Sequence, residues 1–323
     1  ESGYSVSLSA DGTRVAIGAP YNAGNGSSSG HVRVYEFNTD KIWVQVGSDI
    51  DGEAANDESG YSVSLSEDGT RVAIGTSLLL TDRNGYSSGH VRVYDSSGNS
   101  WVQVGSDIDD EAADYINVED NFSEFEAKYS VSLSADGKRV AIGATYNDAF
   151  GIGPNSNSAH VRVYEYNESI WVQVGSNIDG EAVDDRSGYS VSLSANGTRL
   201  AIGDPNGSYS GHVRVYDYIE SSWLQVGSES SWLQVGSDID GEAAGDYSGR
   251  SVSLSANGTR VAIGAPYNDK NGSSSGHVRV YDFDSTGNSW VQVGSDIDGE
   301  DAIDESGHSV SLSADGTRVA IGA

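Results

Sequence analysis

The chain has no cysteine and no methionine in 323 residues, few basic side chains, and no apolar run of membrane-spanning length. Without cysteine there is no disulfide framework, no thiolate zinc site and no cysteine nucleophile. The count is compatible with secretion but does not require it. Methionine is missing at residue 1 as well, so the sequence reads as a mature or excised piece, with any signal peptide or anchor lying outside it. The lack of a long apolar run excludes a transmembrane helix, and no membrane insertion is expected. Basic residues number 18 against 48 acidic ones, a formal charge of −30. Such a surface repels nucleic acid and anionic membrane, and favours cations or a basic partner. Most arginines recur at two fixed positions, in Thr/Lys-Arg-(Val/Leu)-Ala-Ile-Gly and in His-Val-Arg-Val-Tyr.

What fills the chain is one unit of about sixty residues, present five times in full and a sixth time in part. Ser-Val-Ser-Leu-Ser places its valine at Val6, Val63, Val131, Val191, Val252 and Val310, in steps of 57, 68, 60, 61 and 58 residues. His-Val-Arg-Val-Tyr starts at His31, His90, His160, His212 and His277. Trp-(Val/Leu)-Gln-Val-Gly closes each unit, at Trp43, Trp101, Trp171, Trp223 with a second copy at Trp232, and Trp290. A uniform repeat argues for one cooperative domain over residues 1–323, with repeats at approximately 1–58, 59–126, 127–186, 187–247, 248–305 and, in part, 306–323. Positions shared by every copy are then structural rather than catalytic.

Each unit reads as four short strands. Val6 and Leu8 share one face of Ser5 to Ser9 while the serines take the other, the period-two pattern of a strand. Val15 and Ile17 oppose Ala16 and Gly18, Val32 and Val34 oppose Arg33 and Tyr35, and Val44 and Val46 oppose Trp43 and Gln45. Ala-Asp-Gly-Thr joins the first two strands as a tight hairpin turn, with Asn-Gly at Asn196 and Asn257. Sheets with one bulky aliphatic face and one small face stack on each other as propeller blades do. The expected fold is therefore all-β, a β-propeller of four-stranded antiparallel blades. One stretch, Phe122 to Lys128, is helix-like.

Gly-Tyr-Ser-Val at Gly3 to Val6, with Ile-Gly-Ala-Pro at Ile17 to Pro20 and again at Ile263 to Pro266, resembles the FG-GAP repeat of the integrin α-subunit β-propeller and its microbial and algal relatives. The resemblance spans the chain and implies four-stranded blades, extracellular or cell-surface placement, and adhesive or ligand-binding roles. Two departures qualify it. Arg250 and His308 replace the aromatic after the first glycine, and the calcium loop that integrin-type repeats carry in the first hairpin is here only Ala-Asp-Gly-Thr. Integrin-type propellers have seven blades, whereas five full units and a partial one give 22 strands. The chain is then either a piece of a longer array, or five blades grouped from about His31 to Ala323 with an extra hairpin at residues 4 to 19.

Candidate calcium ligands lie after the fourth strand, where hard oxygen donors alternate: Asp49, Asp51, Glu53 and Asp57; Asp107, Asp109 and Glu111; Asp179, Glu181 and Asp185; Asp238, Asp240, Glu242 and Asp246; Asp296, Asp298, Glu300 and Asp304. The competing reading is that they cap turns and pair with the repeated arginines. The histidines that open each third strand read as structural, each imidazole bonded to a neighbouring loop. The tryptophans read as packing between blades or at the rim, with a sugar-binding platform as the alternative. Sequons at Asn25, Asn121, Asn167, Asn196, Asn206, Asn257 and Asn271 fall in turns or loops. The departures from symmetry are candidate interface residues: Leu78, Leu79 and Leu80; Tyr115, Ile116, Phe122 and Phe125 in a long connection; and Trp223 and Trp232 in a nine-residue tandem duplication. Because no unique cluster of histidine, acid and nucleophile stands out, the expected protein is a non-enzymatic structural or adhesive building block that self-associates, head to tail into a filament. The alternative is a module binding a glycan or protein ligand, with or without calcium.

Overall fold

The alternation of Val and Leu with Ser produces the first strand, Ser5–Leu8 (β1), which pairs antiparallel with Arg14–Ala19 (β2) from Ser5↔Gly18 to Leu8↔Val15. The turn between them closes around Asp11, whose Oδ1 accepts from Ser9 Oγ, Thr13 N and Thr13 Oγ1. Asn196 and Asn257 accept the same three bonds in their own turns. His31–Phe37 (β3) pairs with β2, and Trp43–Gln45 (β4) pairs with β3. Beyond β4 a two-residue strand, Ile50–Asp51 (β5), also pairs with β3 and sets Asp51 opposite His31. The computed structural model describes residues 2–79, 89–109, 126–145, 159–182, 185–206, 210–219 and 231–323.

This sheet recurs. The second comprises Ser62–Leu65 (β6), Arg71–Gly75 (β7), His90–Ser97 (β9), Ser100–Gln103 (β10) and Ile108–Asp109 (β11), with Ser77–Leu79 (β8) lying between β7 and β9 in sequence. The third comprises Glu126–Leu133 (β12), Arg139–Ala144 (β13), His160–Tyr166 (β14), Trp171–Gln173 (β15) and Ile178–Asp179 (β16), with β8 added beside β12. The fourth comprises Ser190–Leu193 (β17), Arg199–Asp204 (β18), His212–Ile219 (β19), Ser231–Gln234 (β20) and Ile239–Asp240 (β21). The fifth comprises Ser251–Leu254 (β22), Arg260–Ala265 (β23), His277–Asp284 (β24), Ser289–Gln292 (β25) and Ile297–Asp298 (β26). A sixth sheet has two strands, Ser309–Leu312 (β27) and Val319–Gly322 (β28). Leaving aside the two-residue fifth strands and the added β8, these are five full sheets of four antiparallel strands and a partial sixth, the blades of a β-propeller, as the repeat predicts.

The chain forms two compact units, one of Glu1–Ser156 with Tyr164–Val172, the other of Asn157–Val163 with Gln173–Ala323. In the first unit the small face of the first sheet, Ala16, Val32, Val34 and Ile50, receives the bulky face of the second, Val63, Leu65, Val72 and Ile74. The second sheet receives Val131, Leu133, Val140 and Ile142 in the same way. In the second unit Ala201, Val213, Val215 and Ile239 receive Val252, Leu254, Val261 and Ile263. Each fully buried aliphatic side chain contributes about 1.5–3 kcal/mol, so these stacked faces are the core.

Polar contacts repeat with the same register. The serine of one first strand accepts from the leucine amide of the next sheet: Ser7 from Leu65, Ser64 from Leu133, Ser192 from Leu254, Ser253 from Leu312. The first repeated arginine binds an acidic residue of its own sheet and donates to a turn carbonyl of the next, as Arg14 does with Glu36 and Gly69, and Arg199 with Asp217 and Gly258. Tryptophan Nε1 donates back across the joint, Trp101 to Val46 O, Trp171 to Val104 O, Trp232 to Val174 O and Trp290 to Val235 O, at 2.8–3.0 Å.

Two sequence expectations are corrected here. Glu126–Lys128, the described part of the helix-like stretch, is the start of β12 and pairs with Ser77–Leu79. The acidic segment after the fourth strand is not all loop, because Ile50–Asp51 and its counterparts through Ile297–Asp298 pair with the third strand. Leu78 and Leu79 belong to β8, so the backbone of that patch is a strand added to the third sheet.

Candidate functional site: a repeated histidine and carboxylate cluster

Histidine opens every third strand, and the short fifth strand draws an aspartate opposite it: His31↔Asp51, His90↔Asp109, His160↔Asp179, His212↔Asp240, His277↔Asp298. The aspartate preceding that strand is held by the fourth-strand glutamine, as Gln45 holds Asp49 at 2.7 Å and Gln292 holds Asp296 at 2.7 Å. Glutamate two residues beyond the strand reaches the next repeat, where Glu53 pairs with Arg92 at 2.6 Å. Among the described residues three clusters follow, each gathering ligand atoms within 4.8 Å: His31 with Asp49 and Asp51; Glu181 with His212 and Asp238; Glu242 with His277 and Asp296.

Only part of each acidic segment is gathered at these clusters. Asp57 accepts from the amides of Glu53 and Ala54, and Asp304 from those of Glu300 and Asp301, which is turn capping. Asp246 accepts from Ala243 N and Asn268 Nδ2. Asp49 is chelated by Arg33, and Asp107 by Arg92, which holds both carboxyls below their ordinary range. Asp51, Asp109, Asp240 and Asp298 face histidines across the strand pair, and Asp298 also meets Lys270 at 3.1 Å. Asp238 accepts from Gln234. Glu111 lies outside the described residues, as do Leu80, Tyr115, Ile116, Phe122, Phe125, Trp223 and Asn121.

Of the duplication, the second copy supplies the fourth strand, and Trp232 is buried with its indole N–H on Val174 O. Trp43, in the first sheet, is 46% exposed and packs on Phe37. Among the sequons, Asn25 and Asn271 already donate their side-chain amides to the carbonyls of Gly52 and Gly299. Asn167, Asn196 and Asn257 are exposed, their Oδ1 atoms being the ones engaged, while Asn206 is half-buried.

One residue escaped sequence reasoning. Asp204 stands where Ile17 to Pro20 has Ala19, its only trace in sequence being Ile-Gly-Asp-Pro for Ile-Gly-Ala-Pro. It is fully buried, and its carboxylate meets Gly188 N at 3.2 Å, Arg214 Nη2 at 2.9 Å and His212 Nε2 at 3.0 Å. Burial opposes protonation of His212, yet the Asp204 contact outweighs it and raises the pKa. At His31, His90 and His277, burial and then the neighbouring arginine lower it.

A pH dependence follows. Histidines with lowered folded pKa bind fewer protons folded than unfolded, so their contribution is lost as pH falls through the unfolded value, about 6.5. His212 acts oppositely but alone. The melting temperature is expected to drop between pH 7.5 and 5.5, by about 2–4 °C for each kcal/mol lost. Differential scanning fluorimetry checks this, and a rise in that window contradicts it.

Against known proteins, the fold is the shared feature. The chain aligns over 99% of its length with 77% of a Bacteroides uniformis protein assigned as a 6-phosphogluconolactonase, at TM-score 0.63 and 12% identity. It aligns over 98% with 82% of hydrazine synthase from Kuenenia stuttgartiensis, at TM-score 0.55 and 14% identity. A third likeness, to tricorn protease, has TM-score 0.51 and 10% identity, and covers 96% of this chain but 27% of the other. Identities this low carry the fold and nothing of the activity. No curated protein matches the chain in sequence. The class is thus a β-propeller of repeated blades. The FG-GAP repeat family matches residues 239–281, which span the end of one copy and the first three strands of the next. Since the other copies repeat that sequence, the match supports an FG-GAP-type β-propeller.

Proposed function

We propose that the protein is a non-enzymatic, extracellular building block that associates with further copies of itself through the faces of its blades. The observation that carries this is the bulky face of the first sheet. Val6 and Leu8 are 64% and 60% exposed, whereas their equivalents Val63 and Leu65, covered by a neighbouring sheet, are 9% and 7% exposed. Exposed apolar residues on one contiguous face mark an interaction surface.

The complementary half is the two-stranded sixth sheet. Ser311 and Arg318 are exposed there, and they correspond to the serines and arginines that bind the next sheet elsewhere. A second copy therefore offers Ser311 to Leu8 N and Arg318 to the turn at Gly12. Because donor and acceptor surfaces differ, the contact is heterologous, the kind that builds rings or filaments rather than a two-fold dimer. The non-enzymatic part rests on the use of the repeated tryptophans and arginines, which are engaged in blade-to-blade contacts. Extracellular placement is supported by the FG-GAP relationship and by exposed sequons such as Asn196 and Asn257. No helix among the described residues is long and apolar enough to cross a membrane.

Sedimentation velocity tests the reading. The wild-type chain is expected to shift to faster-sedimenting species as concentration rises, and Val6→Lys/Leu8→Lys is expected to stay monomeric. A wild type that stays monomeric throughout, or a variant that associates equally, overturns it.

A further inference from the structure

We infer that Glu242, His277 and Asp296 form a binding site for a first-row divalent transition-metal ion such as Zn²⁺. Glu242 comes from the fourth repeat, His277 and Asp296 from the fifth, and their ligand atoms lie within 4.8 Å of one another. His277 is fully buried, and neither ring nitrogen has a hydrogen-bond partner. The loop bond expected of this imidazole is therefore not made. Buried polar groups are normally paired, so an imidazole left open and aimed at two carboxylates is a ligand in want of an ion. Its Nδ1 is 3.9 Å from Glu242 Oε2. Tetrahedral Zn²⁺ with bonds near 2.0–2.1 Å needs ligand atoms about 3.3 Å apart, so a small inward turn of the half-exposed glutamate closes the site.

The charges around it agree. Glu242, Asp246, Asp296 and Asp298 face His277 or its strand, against two cations, Lys270 and Arg279. Asp298 Oδ1 is buried without a hydrogen bond. Lys270 Nζ, 2.9 Å from Asp296 Oδ2 and 3.1 Å from Asp298 Oδ2, is the group an ion displaces, and its side chain is exposed enough to leave. Gln292 keeps Asp296 Oδ1, and Arg279 is turned to the carbonyl of Asp240. Imidazole with carboxylates suits zinc and its neighbours, whereas calcium prefers oxygen alone.

The two sister clusters are already committed. Asp49 is chelated by Arg33 through three contacts at 2.8–3.0 Å. His212 Nε2 meets Asp204 at 3.0 Å, and Arg214 approaches Glu181 at 3.7 Å. In the Glu242 cluster, by contrast, the imidazole and the carboxylate nearest it stand 3.9 Å apart, which leaves room for an ion between them.

The test is calorimetric titration of the metal-stripped full chain with ZnCl₂ in excess CaCl₂, which occupies surface carboxylates. One Zn²⁺ site is expected. Glu242→Gln, at an exposed position that leaves folding intact, is expected to weaken it by more than about tenfold, the cost of losing even an outer partner. Lys270→Ala is expected to tighten it. Co²⁺ is expected to give a visible absorption band that His277→Asn removes. Zn²⁺ binding that is abolished by calcium, or that is unchanged in Glu242→Gln and His277→Asn, overturns the assignment.

Discussion

Gly203→Ala is expected to destabilise the protein by about 3 kcal/mol or more, at the upper end of overpacking costs. Gly203 lies in β18, and a Cβ there would collide with the backbone carbonyl of Gly249 in the next sheet and with Ser190 Oγ. The obstruction is chiefly main chain, which has no rotamer to yield. Gly249 itself needs positive φ, at 89°, and its own Cβ would press on His212 O. Two backbones thus touch, and this close approach sets the distance at which Val252 and Val261 pack on Ala201 and Val213. Gly264→Ala makes the equivalent collision with Gly307, but its neighbour is the two-stranded sixth sheet, which can peel away. It is expected to cost less. Gly24→Ala, in an exposed turn, is expected to stay within about 0.5 kcal/mol of wild type. Urea unfolding checks the order, and equal stability of Gly203→Ala and Gly24→Ala contradicts the packing account.

Asp204→Ala is expected to lose about 3–5 kcal/mol, the cost of breaking a buried charge pair from one side. The variant restores the alanine that four of the other five copies carry, the second having Thr76, so a consensus argument predicts stabilisation and the electrostatic argument the reverse. The reverse prevails because Arg214 has turned to Asp204. Its guanidinium is buried and retains Tyr216 Oη, Ser187 Oγ and Asp179 O, but no full counter-charge. Glu181 is 3.7 Å off and half-exposed. A pH signature separates this from simple packing loss. The raised pKa of His212 means that its stabilisation is present below the unfolded value, about 6.5, and fades as pH rises through the folded one. The penalty of Asp204→Ala is therefore larger at pH 5.5 than at pH 8.5. A penalty that is the same at both, measured by chemical unfolding, would show that the His212 contact is inert.

Strands, turns and the bulky-on-small stacking were legible because period two is written directly in Ser-Val-Ser-Leu-Ser and Arg-Val-Ala-Ile-Gly. The turn aspartate was legible for the same reason, its three bonds all reaching residues within two positions. Partners that lie a whole repeat away were not. Trp290 Nε1 bonds Val235, 55 residues back, and Glu242 meets a histidine 35 residues on. Read along the chain, the acidic segment looked like its own ligand set. The fold instead gives its members to turn caps, glutamines, arginines and the next repeat's imidazole. The stretch before Tyr129 looked helical because Glu, Ala and Lys are good helix formers. Pairing of Glu126–Lys128 with β8 overrides that local preference, as tertiary context commonly does.

The central claim is that the bulky face of the first sheet is a surface for another copy. The amide of Leu8 reports on it most directly. Its equivalents at Leu65, Leu133, Leu254 and Leu312 each donate at 2.9 Å to a serine of the adjoining sheet, and among the described residues Leu8 meets no such serine. Site-resolved hydrogen exchange across a concentration series is the measurement. Leu8 is expected to exchange fast in dilute protein and to slow with concentration, while Leu65 stays protected throughout. Exchange at Leu8 that is independent of concentration, while the protein associates through other residues, would contradict the account.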